Sequence, residues 1–284
     1  MKKLFVVSLA SDVYKQYIPA FVKSVKNLKW IENKGYEIYV VMMLDEDCEI
    51  ETEFPVIKLH IPNLPYSSMA LTKTDFVFDA IAQAKASDDD SFMFFDIDSY
   101  VIKMNEDKQA RIFELLTGEK VCFTRTPWRF EKTPYLENFK NIGTYWFIKD
   151  MSIENYVQNS FFFGTVKAYK QFYKKYWMTV NSRMNPHKGQ PVIPYMHDQS
   201  MTNKVVSLDY SNYVIDDFVF NGYDDKFSPT SHPENLDNRF DDQTYENEKA
   251  TKNYVLNDCP NIFVIQKFDK EIKKTKRIPP LPIS

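Results

Sequence analysis

The chain has 284 residues, 44% of them hydrophobic and 16% aromatic, which is ample for a sizeable core. Its formal net charge of −3 supplies no electrostatic pull towards nucleic acid, and its six glycines form neither GxGxxG nor GxxxxGK. A bound phosphate must therefore be held by a metal, by cationic side chains or by a helix terminus, not by a glycine-rich loop.

The N-terminal run KLFVVSL, Lys3–Leu9, is apolar and β-branched and reads as a buried first strand. It is too short for the apolar region of a comfortable signal peptide, and no stretch approaches the ~18 apolar residues of a membrane span. A soluble, cytoplasmic protein is the expectation. Tyr17, Phe21, Val25 and Leu28 then recur at helical spacing. YEIYVVMM (Tyr36–Met43) is a second strand and PVIKLHI (Pro55–Ile61) a weaker third. A helix is predicted from Ser68, its N-cap, with Phe76, Ala80, Ile81 and Ala84 on one face. Phe92–Phe95 is the next strand, Arg111–Leu116 a short helix and Val121–Thr124 a further strand. Ser160–Phe163 reads as a short aromatic strand, followed by a helix with Val166, Tyr169, Phe172, Tyr173 and Trp177 as a packing stripe. SMTNKVVS is helix-like, residues 222–251 read as an acidic surface loop, and NIFVIQKF as a final strand. The three cysteines, Cys48, Cys122 and Cys259, lie far apart and read as reduced thiols.

Alternating strands and helices predict an α/β fold with a largely parallel sheet, whose ligands gather at the carboxyl ends of its strands. One such end carries FMFFDIDSYVI, residues 92 to 102. Residues two apart on a strand share a face, so Asp96 and Asp98 are expected to converge on one ion. Two carboxylates without His or Cys suit Mg²⁺ or Mn²⁺ and leave most of the coordination shell to phosphates and water. The competing readings are a solvated strand cap and a DxD phosphatase with Asp96 as nucleophile. The phosphatase motif normally closes a first strand and has Thr or Val where this chain has Tyr100.

The ordered set FFDID, SFFFGTV and HDQSMTNKV resembles GT-A glycosyltransferases, and most closely the family-six retaining enzymes that include the blood-group A and B transferases and α-1,3-galactosyltransferase. The resemblance implies a GT-A type single domain, with a Rossmann-like, mostly parallel mixed sheet flanked by helices. The catalytic domain would be residues 1–265, with a nucleotide-sugar part in 1–125 and an acceptor part in 126–265; residues 266–284 form a basic, Pro-rich tail. It implies Mn²⁺ (or Mg²⁺) and the donor diphosphate at Asp96 and Asp98, and the base of a UDP-sugar beside Tyr14, Leu9 and Ala10. Lys73 stands where the family tends to carry Arg. Ser160 and Phe161 occupy the place of small residues beside the donor sugar, so the bulky Phe161 alters that pocket.

His197 and Asp198 match the family's His-Asp, which holds sugar hydroxyls; Asp198 also suits an N-cap of the helix that follows. Gln199 replaces a Glu proposed as nucleophile or charge support, which favours a front-face route to retention with the amide supplying a dipole. Met196 replaces an aromatic acceptor contact. Lys267 and Lys274, with Lys273, Lys276 and Arg277, match a basic C-terminus that closes over the diphosphate. The implied activity is metal-dependent transfer of a hexose or N-acetylhexosamine from a UDP-sugar to a glycan acceptor. A catalytically silent carbohydrate- or nucleotide-binding protein on the same scaffold is the alternative that Gln199 favours.

Overall fold

The computed structural model describes residues 1–64, 66–125, 157–180, 201–203, 205–206, 213–216, 220–223 and 262–266. Its main sheet has seven strands, in the order β3-β2-β1-β4-β7-β6-β8. These are β1 (Lys2–Ala10), β2 (Tyr36–Leu44), β3 (Val56–His60), β4 (Ser91–Asp96), β6 (Val121–Arg125), β7 (Val157–Thr165) and β8 (Tyr213–Asp216). Only β7 runs against its neighbours; every other pairing is parallel. A second sheet, β5-β10-β9, joins β5 (Ser99–Val101), β10 (Ile262–Gln266) and β9 (Phe220–Tyr223). The fold is thus α/β with a mostly parallel mixed sheet. No helix among the described residues is long and apolar enough to cross a membrane.

The central strands are apolar on both faces because both are covered. Leu4, Val6, Met93, Phe95, Phe161 and Phe163 face one core, with Phe21, Val25, Leu28 and Ile112. Phe5, Val7, Phe92, Phe94 and Phe162 face the other, with Val77, Ala80, Ile81, Tyr169 and Phe172. The strand period of two sorts one aromatic run into two cores. Near the end of β7, Gly164 has φ 156° and a Cβ there would stand 3.1 Å from the Lys120 carbonyl oxygen, which favours glycine at that position.

The first core is covered by α1 (Ile18–Ser24), flanked by 3₁₀ segments Asp12–Tyr17 and Val25–Lys34, and by α3 (Glu106–Leu116). The buried stripe Tyr17, Phe21, Val25, Leu28 is present, but on three short segments in place of one helix. α3 starts five residues before the predicted Arg111. Asn105 caps it by accepting from the Lys108 N–H at 3.0 Å, and Glu106 and Asp107 complement the N-terminal dipole.

The second core lies under α2 (Tyr66–Gln83) and α4 (Val166–Val180). Because α2 begins at Tyr66, Ser68 lies inside the helix and is not its N-cap. The two helices are clasped together. Tyr169 donates its hydroxyl to the Thr74 carbonyl at 2.9 Å, and the Tyr173 hydroxyl and Trp177 indole N–H both donate to Asp75 Oδ1 at 2.8 Å. The Tyr173 ring stacks on Phe78 at 4.0 Å.

Burial first, and the hydrogen bond to Asp75 second, push the Tyr173 phenol up to about 12. The fold therefore favours the neutral phenol. That contribution is complete below pH about 10, the ordinary value for Tyr, and is lost as the pH rises through about 12. Wild type is accordingly expected to lose stability more steeply than Tyr173→Phe over this window, in urea unfolding at stepped pH. Parallel profiles would show that this proton is not linked to folding.

Candidate functional site

The chain runs from β1 outward through β2 and β3, then crosses back to place β4 on the other side of β1. The crevice outside the carboxyl ends of β1 and β4 is therefore the topological switch point, where open α/β sheets bind ligands. Leu9 of β1 pairs in register with Asp96, the last residue of β4. Asp96 follows Phe95 and so faces the α2 side, as Phe94 does. There the Lys73 ammonium, from α2, passes 5.6 Å from the centre of the Phe94 ring and meets Asp96 Oδ1 at 2.8 Å.

Asp98 is placed differently from the strand-based expectation. β4 ends at Asp96, and Ile97 and Asp98 form a two-residue turn into β5, so strand alternation does not set the direction of Asp98. The turn is held from its far side. The Val101 N–H donates to Ser24 Oγ at 3.0 Å, and Asn27 Nδ2 donates to the Val101 carbonyl at 2.8 Å. Ser24 Oγ in turn donates to the Phe21 carbonyl at 2.6 Å. Asp98 is buried, and the Ser99 hydroxyl beside it is buried with no hydrogen-bond partner. Ser24→Ala leaves the Val101 N–H buried and unpaired, which is expected to cost about 1–3 kcal/mol in denaturant unfolding. A cost near zero would mean that the turn is held elsewhere.

At the end of β1, Leu9 is half-buried and Ala10 buried, and the chain turns at once into the 3₁₀ segment that carries Tyr14. Asp12 opens that segment at φ 50°, in the left-handed region. Facing it, Asp45 follows directly on β2. Its buried carboxylate accepts the Asp12 N–H at 2.9 Å and pairs with Lys15 at 3.0 Å. Neither Asp45 nor Lys15 was singled out from the sequence, where DED looks like a solvated turn. The available signal was YVVMML running straight into an acid, as FMFF does at Asp96.

Because β7 is reversed, its beginning lies at this same edge: Phe161 pairs with Phe95, and Ser160 and Asn159 follow towards the site. Ser160 is buried there. The Phe161 ring is turned into the first core instead, fully buried and stacked on Phe95 at 4.7 Å and Phe163 at 5.2 Å. The helical residues Met201–Asn203 are fastened to this strand end. The Thr202 hydroxyl donates to Asn159 Oδ1 at 3.1 Å, while Asn203 accepts the Val157 N–H at 2.7 Å and donates to the Val157 carbonyl at 2.9 Å. Met196, His197, Asp198, Gln199, Lys267 and Lys274 lie outside the described residues, as does most of the acidic stretch 222–251; Gly222 and Tyr223 belong to β9.

Among the described residues no group of three or more His, Cys, Asp or Glu side chains is placed to hold a metal. Asp96 and Asp98 together offer only hard oxygen donors. That set suits Mg²⁺ or Mn²⁺, which keep waters and share substrate phosphates, and does not suit zinc. No model of a known protein family matches the chain, and no curated protein matches it.

Proposed function

We propose that this protein is a metal-dependent glycosyltransferase of the GT-A type, moving a hexose or N-acetylhexosamine from a UDP-sugar to a glycan acceptor with retention. The observation that carries the reading is Asp96, an acid ending a buried aromatic strand at the switch point, in register with Leu9 and paired with Lys73. A second support is the anchoring of Thr202 and Asn203 to the start of β7, since those residues lie three and four positions after Gln199 of the HDQ motif in the chain.

In this reading Asp96 and Asp98 hold Mn²⁺ or Mg²⁺, which when bound offsets the charge of the donor diphosphate and eases its departure. Lys73 adds a fixed positive charge at the same edge, where charge-assisted hydrogen bonds to phosphate are strongest. Tyr14 flanks the base beyond the end of β1. His197 and Asp198 orient sugar hydroxyls, and the Gln199 amide presents a dipole to the positive charge that develops at the anomeric carbon. The acceptor oxygen forms the new bond on the face from which the diphosphate leaves, and the acceptor proton passes to the departing phosphate oxygen.

The test is donor hydrolysis across a panel of nucleotide-sugars, with and without Mn²⁺, following the anomeric proton by NMR. Metal-dependent release of one sugar from one UDP donor, with its α or β product resolved, is the expected result. UDP binding without turnover even when glycan acceptors are supplied would favour the silent binding protein. A trapped aspartyl-phosphate at Asp96 would replace both with a phosphatase.

A further inference from the structure

The end of β2 repeats the design of the end of β4, with an apolar strand that runs into an aspartate, but Asp45 is used differently. Its side chain is 1% exposed. Oδ2 accepts the Asp12 N–H at 2.9 Å; Oδ1 accepts the Glu46 N–H at 2.9 Å and lies 3.0 Å from Lys15 Nζ. Lys15 also donates to Glu46 Oε2 at 2.9 Å. The carboxylate thus spans both ends of one tight turn, the Asp12 backbone and the Lys15 side chain, with Tyr14 between them. Asp12 is exposed and adopts φ 50°, the left-handed region, which Asp tolerates better than most residues but which still favours glycine. The hydrogen bond to Asp45 is the contact at that residue's own N–H. Hydrogen bonds from Lys15 to Glu46 first, and to Asp45 second, hold its ammonium above its ordinary range.

We infer that Asp45 is a positioning residue for the donor nucleotide, holding the Ser11–Lys15 turn, and with it the half-buried Tyr14, just beyond the carboxyl end of β1. The inference rests on the reading of the β1–β4 crevice as the nucleotide site. Asp45 has its oxygens engaged within the protein and acts through the turn, not on the ligand.

The experiment compares wild type, Asp45→Asn and Asp12→Gly in three measurements. These are UDP binding with Mn²⁺ by calorimetry, donor KM and kcat, and exchange of the Asp12 amide hydrogen without nucleotide. Asn keeps the size of Asp45 but gives up the charge and one of two acceptors. It is expected to raise both the UDP Kd and donor KM by about tenfold, with kcat within about threefold of wild type. The Asp12 amide should exchange faster. Asp12→Gly keeps the N–H and suits the left-handed conformation, so its UDP affinity should stay within about twofold of wild type.

Should Asp45→Asn fail to fold, Asp12→Val serves instead. A β-branched side chain resists φ 50°, and UDP affinity should fall as in the Asn variant. Unchanged KM and unchanged Asp12 protection in Asp45→Asn would overturn the inference and leave the nucleotide site standing. So would a loss confined to kcat, or wild-type affinity in Asp12→Val. A wild-type protein that binds no UDP would overturn both.

Discussion

Asp98→Asn is expected to abolish metal-dependent donor binding while the protein stays folded. Asn matches Asp in shape and can still hydrogen-bond, and Asp98 is buried, so the replacement exchanges a buried charge for a buried neutral amide. The turn is also held independently, through Ser24, Asn27 and Val101. On the proposed reading, what disappears is one of the two carboxylates, Asp96 and Asp98, that would hold the cation. Losing even an outer partner of a metal ligand typically costs ten- to a hundredfold in affinity, so losing a ligand should cost at least about a hundredfold. Calorimetry of UDP with and without Mn²⁺ reads this directly, and a melting curve near that of wild type checks the fold. Full activity in the variant would remove the acid pair from the mechanism.

Phe162→Ala should give the largest loss of stability. Phe162 pairs with Phe94 on one side and Phe123 on the other, so three rings lie abreast across β4, β7 and β6. Their centres are 5.0 Å and 5.7 Å from that of Phe162, and Phe92 and Tyr169 close around it at 5.9 Å and 5.8 Å. Removing the ring forfeits its burial and leaves a void that sheet and helix cannot close together, for a loss of about 3–5 kcal/mol in denaturant unfolding. Phe162→Leu, which refills most of the space, should lose much less. A cost below about 1 kcal/mol for the alanine variant would mean that the second core does not depend on this ring.

The parts legible in the sequence are those whose signal is local. β1, β2 and β4 announce themselves as apolar runs because they are buried on both faces, and α4 announces itself through its stripe of Val166, Tyr169 and Phe172. β5, β8 and β9 were not read. Each is three or four residues long and owes its strand character to a distant partner, as Val101 does to Val264. NIFVIQKF carries the apolar run of a strand, but nothing local shows that it joins a second sheet, between β5 and β9.

The candidate site divides the same way. Asp96 stood out because an acid after FMFF is conspicuous. Lys73 and Ser160 gained their places from the resemblance, and both lie at the edge where Asp96 ends its strand. The Phe161 ring lies in the first core because alternation along β7 sends it to the face opposite Phe162, whose ring lies in the second. Asp45 was hidden because its partners are a backbone N–H and a lysine thirty or more positions away in a compact turn, which no composition or period encodes.

The reversal of β7 has a consequence for how such a protein can change over evolutionary time. A strand running with its neighbours would deliver the chain to the edge where Asp96 lies only after crossing the sheet, followed by a helix that must pack. β7 instead begins at that edge and ends in α4 on the far side. The connection entering it can therefore lengthen, shorten or vary at little entropic cost, while the Ser91↔Thr165 to Phe95↔Phe161 register and the clasp between α2 and α4 stay as they are. Asp96 and the connection that enters β7 thus lie on separate stretches of chain, so that one can drift without loosening the other.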